Sequence, residues 1–108
     1  MAARDDDLVV CDGEWDIARA EEFARLAAEG LARRTGALIL DFRGATFIDA
    51  STIGAIYALA RNGLQQGVDV VVLSGPGFVR RVFVLAHLAD AVRVAETLEQ
   101  ARDVSLRA

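Results

Sequence analysis

Apolar residues in this chain fall into two kinds of stretch. Short continuous runs occur at Leu8–Cys11, at Ala37–Phe42 (interrupted only by Asp41) and at Val68–Leu73 (interrupted only by Asp69), and Ala91–Val94, broken by Arg93, reads as a short edge strand. Runs of that length bounded by Gly, Asp or Pro predict strands, those at Ala37–Phe42 and Val68–Leu73 covered on both faces. Between them the apolar residues return every three or four positions, which predicts helices. Over Ile17–Arg34 one face carries Ala20, Phe23, Ala24, Ala27 and Leu31, with Glu21, Glu22, Arg25 and Glu29 around the rest. Over Ser51–Gln66 the expected buried stripe is Ile53, Ile56, Leu59, Ala60 and Leu64, and Gly67 supplies the stop. The breaker Ser74-Gly75-Pro76-Gly77 precedes a third helix over Phe78–His87. A last helix over Glu96–Arg107 turns Leu98, Ala101 and Val104 inward. Gly13-Glu14-Trp15-Asp16 reads as a turn, with Asp16 as helix N-cap.

Strand and helix therefore alternate, which predicts an α/β fold: a small, mostly parallel sheet of about four strands with right-handed helical crossovers. Residues 1–7 read as an acidic, solvated lead-in and residues 8–108 as one domain.

Composition narrows the function classes. At 108 residues the chain can bury a core of its own. A net charge of −4 argues against a general nucleic-acid or anionic-membrane surface. No apolar run approaches the roughly 18 residues that span a bilayer, and the first residues lack the pattern of a secretory signal. The one cysteine, Cys11, has no internal disulfide partner and reads as a small core residue. These features lead us to expect a cytoplasmic protein.

The richest segment is Leu38-Ile-Leu-Asp-Phe-Arg-Gly-Ala-Thr-Phe-Ile-Asp-Ala-Ser-Thr-Ile-Gly54. A strand-like run ends at Asp41, a second apolar pair (Phe47, Ile48) ends at Asp49, and small residues then open a helix. Asp49, Ser51 and Thr52 thus stand at a helix N-terminus, where unpaired backbone N–H groups and the macrodipole favour carboxylates, hydroxyls and any added phosphate.

Phe47-Ile48-Asp49-Ala50-Ser51-Thr52-Ile53-Gly54 resembles the Phe-[Ile/Met]-Asp-Ser-Ser-Gly-[Leu/Ile]-Gly motif of the STAS domain of bacterial anti-sigma-factor antagonists. Gly13-Glu14-Trp15-Asp16 is similar to that family's Gly-Glu-[Leu/Ile]-Asp turn. Gln66-Gly67-Val68 resembles its helix-Gly-strand step, and Pro76 through Leu88, with Arg81-Val82-Phe83, its third helix. The resemblance spans about residues 8–98. It implies a STAS fold without enzymatic activity or cofactor. It further implies a protein-interaction module that binds an anti-sigma factor of the serine-kinase type and so releases a sigma factor. It places the partner surface at Asp49, Ala50, Ser51, Thr52, Ile53 and Gly54, flanked by Glu14, Trp15 and Asp16 and by Ser74 and Gly75 in the 74–77 loop. Ala50 stands where the family's phospho-acceptor is expected, which leaves Ser51 and Thr52 as candidates, Ser51 foremost. Thr52 replaces a family Gly and would restrict close approach by a partner backbone. The small cytoplasmic STAS subunit of a lipid ABC transporter is the alternative the same motif allows.

The remaining chemistry-bearing residues add little. Trp15 reads either as an exposed contact residue or as a ring folded over the sheet end. Arg80 and Arg81 read as a solvated face, and the lone His87 has no nucleophile paired with it. No phosphate-binding loop, Cys-x-x-Cys, His-Glu-x-x-His or Gly-x-Ser-x-Gly pattern is present.

Overall fold

Four strands, β1 (Leu8–Val10), β3 (Ala37–Asp41), β5 (Asp69–Leu73) and β6 (Arg93–Ala95), form one parallel sheet in the order β1-β3-β5-β6 in the computed structural model, which describes residues 4–33 and 35–103. A second sheet pairs β2 (Gly13–Trp15) in parallel with β4 (Ala45–Ile48). The helices are α1 (Ala20–Ala32), α2 (Ala50–Gln66), α3 (Phe78–Leu85) and α4 (Leu98–Arg102).

Strands laid down in chain order with crossovers of one hand put the connecting helices on one face. Accordingly, α1, α2 and α3 share a core with the inward residues of the sheet, including Phe23, Leu31, Leu38, Leu40, Ile53, Ile56, Val70, Val72, Val79 and Phe83. The other face packs Ile39, Val71, Leu73 and Ala95 against Leu98 and Ala101 of α4. β3 is buried at all five positions because both faces are covered. A chain of rings, Trp15–Phe23–Phe42–Phe83, threads the larger core with centroid spacings of 5.9, 6.4 and 5.5 Å. Each buried ring contributes roughly 1.5–3 kcal/mol by leaving water.

Two glycines set how closely the helices approach the sheet. A Cβ at Gly63 would lie 2.8 Å from both the Val68 carbonyl oxygen and Val70 Cγ2, and one at Gly30 would lie 2.5 Å from Leu38 Cδ1. Both face inward.

Several elements differ from the sequence reading. Gly13–Trp15 is a strand rather than a turn, because its backbone pairs with β4. Ile17–Arg19 forms a separate 3-10 turn capped by Asp16, so α1 starts only at Ala20. Ala20 and Ala24 are exposed, and Gly30 takes an inward position instead. Leu64, expected in the buried stripe of α2, is 81 % exposed, and Gly63 faces the core in its place. α3 ends at Leu85 and α4 at Arg102; Arg34 and the expected inward Val104 lie outside the described residues. Arg4–Asp7 is a 3-10 turn, and Asp7 forms a two-pronged ion pair with Arg102 at 2.8 and 2.9 Å that ties the segment to α4.

Candidate functional site

Asp49 organises the start of α2. Its Oδ1 accepts from the Thr52 amide (3.1 Å) and the Ser51 hydroxyl (2.7 Å), and its Oδ2 accepts from the Ile17 amide (3.2 Å). The first two bonds are an N-cap. The third reaches across to the segment that follows β2. The Ser51 hydroxyl above all, then the Thr52 and Ile17 donors, outweigh desolvation and hold the Asp49 carboxyl below its ordinary value.

Trp15 is joined from the same side. Its carbonyl accepts from the Asp49 amide (3.2 Å) and from the Thr52 hydroxyl (3.0 Å). The start of α2 and the end of β2 are therefore one hydrogen-bonded unit. The third segment arrives through Phe78, the first residue of α3 after the 74–77 loop, whose ring stacks on Phe47 of β4 at 5.8 Å with an interplanar angle of 12°. Of the three segments assigned from the motif resemblance, 14–16 and 49–54 are hydrogen-bonded together at the start of α2, whereas the 74–77 loop is linked to this end of the molecule only through the Phe78–Phe47 ring contact that follows it.

The individual residues take different places. Ala50, Gly54 and Glu14 are exposed, and Ser51, Asp16 and Gly75 are half-buried. Trp15 is only 1 % exposed, so its ring is folded into the core rather than presented as an aromatic contact. Thr52, at 4 % exposure, points inward, so it does not stand between a partner and the helix backbone. Ile53 also packs into the core. The Ser74 hydroxyl is buried and donates to the Gly75 carbonyl, while its amide donates to Ala95.

Arg19 is the residue the sequence reading missed. Its Nη1 donates to the Asp12 and Glu14 carbonyls, both at 3.0 Å, its Nε and Nη2 pair with Glu22, and its guanidinium carbon lies 3.6 Å from the centroid of the Trp15 ring. It holds the β1–β2 connection in shape and roofs the tryptophan. The i, i+3 spacing of Arg19 and Glu22 was the only signal in the sequence.

Asp41 closes the other side of the sheet end. Burial pushes its carboxyl upward, but the paired Arg43 side chain and amide outweigh that and hold it low. Burial and the neighbouring Asp41 charge push the Cys11 thiol up to about 12, which makes it an inert core group. Arg80 is ion-paired with Glu96, and Arg81 is exposed. His87 is exposed, with its backbone in the left-handed region at φ 55°. A wide, open cleft of about 930 Å³ lies at the far end of α2, lined in part by Tyr57, Arg61, Leu64, Asp69 and Arg93; none of the residues assigned from the motif reaches it.

Among the described residues no group of His, Cys, Asp and Glu is disposed to hold a metal ion, and no helix is long and apolar enough to cross a membrane. The elaborated feature of this small α/β domain is a helix start clamped to a neighbouring strand at one end of a parallel sheet. The STAS domain family model matches residues 1–101, and the chain belongs to that family. Solved structures agree on the fold. A protein of Thermotoga maritima, TM1081, described as a candidate anti-sigma factor antagonist, aligns in its crystal structure with a TM-score of 0.75 at 23 % identity, over 89 % of this chain and 85 % of that one. The NMR structure of TM1081 aligns with a TM-score of 0.77 at 20 % identity, over 94 % and 82 % of the two chains. No curated protein matches the sequence.

Proposed function

We propose that this chain is an anti-sigma-factor antagonist: a cytoplasmic protein that binds an anti-sigma factor of the serine-kinase type and thereby frees a sigma factor. The observation that supports the reading is the hydrogen-bonded union of the 14–16 segment with the start of α2, with Phe78, after the 74–77 loop, stacked on Phe47 just before that helix. A STAS domain whose solved neighbour is described as a candidate antagonist of this kind supports it. The exposed contact residues in this reading are Glu14, Ala50 and Gly54, with Ser51 and Asp16 at the margin. Ser51 is the modification candidate. Thr52 is not, because its hydroxyl is inside and already engaged.

The test is calorimetric titration of the intact protein against the kinase-type anti-sigma factors encoded in the same genome. A complex with one of them, lost on Ala50→Arg with the fold intact by circular dichroism, is the expected result. Absence of binding to every candidate, or full affinity in the Ala50→Arg protein, would overturn the reading.

A further inference from the structure

Between Ala50 and Ala89 the chain has three arginines, Arg61, Arg80 and Arg81, and one carboxylate, Asp69, although it carries sixteen carboxylates and a net charge of −4 overall. Asp69 sits on β5 beside Arg93 (3.9 Å). α3 itself therefore carries two arginines and no carboxylate in an acidic protein, and the acid that reaches it, Glu96, is held by Arg80.

That side is also apolar. Phe78, Arg81 and Leu85 follow one another at spacings of three and four residues, so they form one stripe along α3. Phe78 is 45 % and Leu85 79 % exposed, while Val79 and Phe83 on the inner side are buried. Phe47, itself 38 % exposed, extends the stripe by its stacking contact with Phe78. Single exposed apolar residues are ordinary, but a stacked aromatic pair in line with an arginine and a leucine is the composition of an interface centre. Arg80 is occupied by Glu96, whereas Arg81 makes no ion pair among the described residues.

We infer that the Phe47/Phe78–Arg81–Leu85 stripe docks an acidic amphipathic helix of a partner protein, whose apolar side chains cover the rings and Leu85 while a carboxylate meets Arg81. Charge complementarity selects this occupant. A carboxylate arriving here meets Arg81, which no acid among the described residues already pairs, while the neighbouring Glu96 is taken up by Arg80; a basic partner meets repulsion from Arg81. This deepens the proposed function, and it rests on that reading for the partner's identity, since the stripe begins at β4, directly before the start of α2. The chemistry of the stripe stands on its own residues.

The probe is a synthetic helical peptide with Leu at positions i, i+3 and i+7 flanked by Glu, and a twin with every Glu replaced by Lys. Both are titrated into the intact protein by fluorescence anisotropy at low and high salt. The acidic peptide should bind, weaken with salt and be preferred over its twin. Arg81→Glu should lower its affinity about tenfold and restore binding of the Lys twin. Phe78→Ser, at an exposed position, should weaken both pairings. Equal binding of the two peptides, or an Arg81→Glu protein with unchanged preference, would overturn the inference. So would two outcomes that assign the stripe elsewhere: Arg81-dependent binding to phosphatidylserine vesicles without peptide binding, or Arg81-dependent self-association in sedimentation. An anti-sigma-factor complex that survives Arg81→Glu but not Ala50→Arg removes the stripe and leaves the functional reading. Peptide preference with no anti-sigma factor bound does the reverse.

Discussion

The Thr52 hydroxyl donates to the Trp15 carbonyl across 3.0 Å, joining residues 37 positions apart in the chain. The hydroxyl is a structural tie between β2 and the start of α2. Thr52→Val keeps the shape and removes the donor, leaving the Trp15 carbonyl with the Asp49 amide alone. The expected cost is about 1 kcal/mol, or roughly 4–8 °C in melting temperature. Thr52→Ser should recover most of it. A thermal melt of the three proteins checks this, and a valine variant as stable as the parent would show that the bond contributes nothing net.

The long periodic segments were legible in the sequence because each one carries its own signal. α2 is read from Ile53, Ile56 and Leu59, and its end from Gly67, which adopts φ 74° and donates to the Gly63 and Leu64 carbonyls. β2 was not legible. Three residues beginning with Gly look like a turn, and only the parallel partner β4 makes them a strand. Leu64 was misplaced because the 3.6-residue period allows it inward, whereas the sheet comes so close at Gly63 that only a residue without a Cβ fits there. At the site, the motif located Asp49 and its hydroxyl neighbours, but no local pattern states that Thr52 points in, that Trp15 is covered, or that Arg19 spans Asp12 and Glu14. Those are consequences of contacts between segments far apart in the chain.

Asp49 should make part of the stability acid-sensitive. Its folded-state carboxyl titrates below the ordinary 3.8, so its contribution is complete above that value and is lost as pH falls through the lower folded one. Asp49→Ala removes the cap and should cost about 1 kcal/mol near neutrality. The gap between variant and parent should then narrow below about pH 4, while the Asp41 contribution, common to both, continues to fall away. Urea unfolding at a series of pH values measures the gap. Two parallel stability curves would mean that Asp49 titrates normally.

His87 holds a left-handed backbone conformation at φ 55°, between α3 and the 3-10 turn Leu88–Asp90. Its carbonyl and that of Ala86 both accept from the Tyr57 hydroxyl, at 3.1 and 2.8 Å, which fixes the turn against α2. A side chain there costs roughly 1–2 kcal/mol that Gly avoids, set against the greater freedom Gly gains in the unfolded chain. His87→Gly should therefore stabilise the protein by up to about 1 kcal/mol, and His87→Ala should not. Denaturant midpoints of the two variants decide the point; a destabilised Gly variant would show that the imidazole makes a contribution the backbone argument omits.

A negative charge should act differently at residues 50 and 51. Ala50 is exposed at the first position of α2, so Ala50→Asp places its carboxylate in water near the positive end of the helix, which favours it by roughly 0.3–1 kcal/mol. The Ser51 hydroxyl instead donates to Asp49 Oδ1 at 2.7 Å. Ser51→Asp, or a phosphate on Ser51, turns that donor into an anion facing the Asp49 carboxylate and works against the bonds that tie Asp49 to Thr52 and Ile17. Ala50→Asp should thus keep or raise the melting temperature while weakening the proposed partner complex by charge alone. Ser51→Asp should lower the melting temperature and speed amide exchange at Ile17 and Thr52. Ser51→Ala separates the two effects in the second case, since it loses the hydrogen bond without adding charge and should fall between the parent and Ser51→Asp. Unchanged exchange at Ile17 in Ser51→Asp would show that residue 51 can carry a charge without disturbing the clamp, and a switch at Ser51 would then have to act on the partner directly.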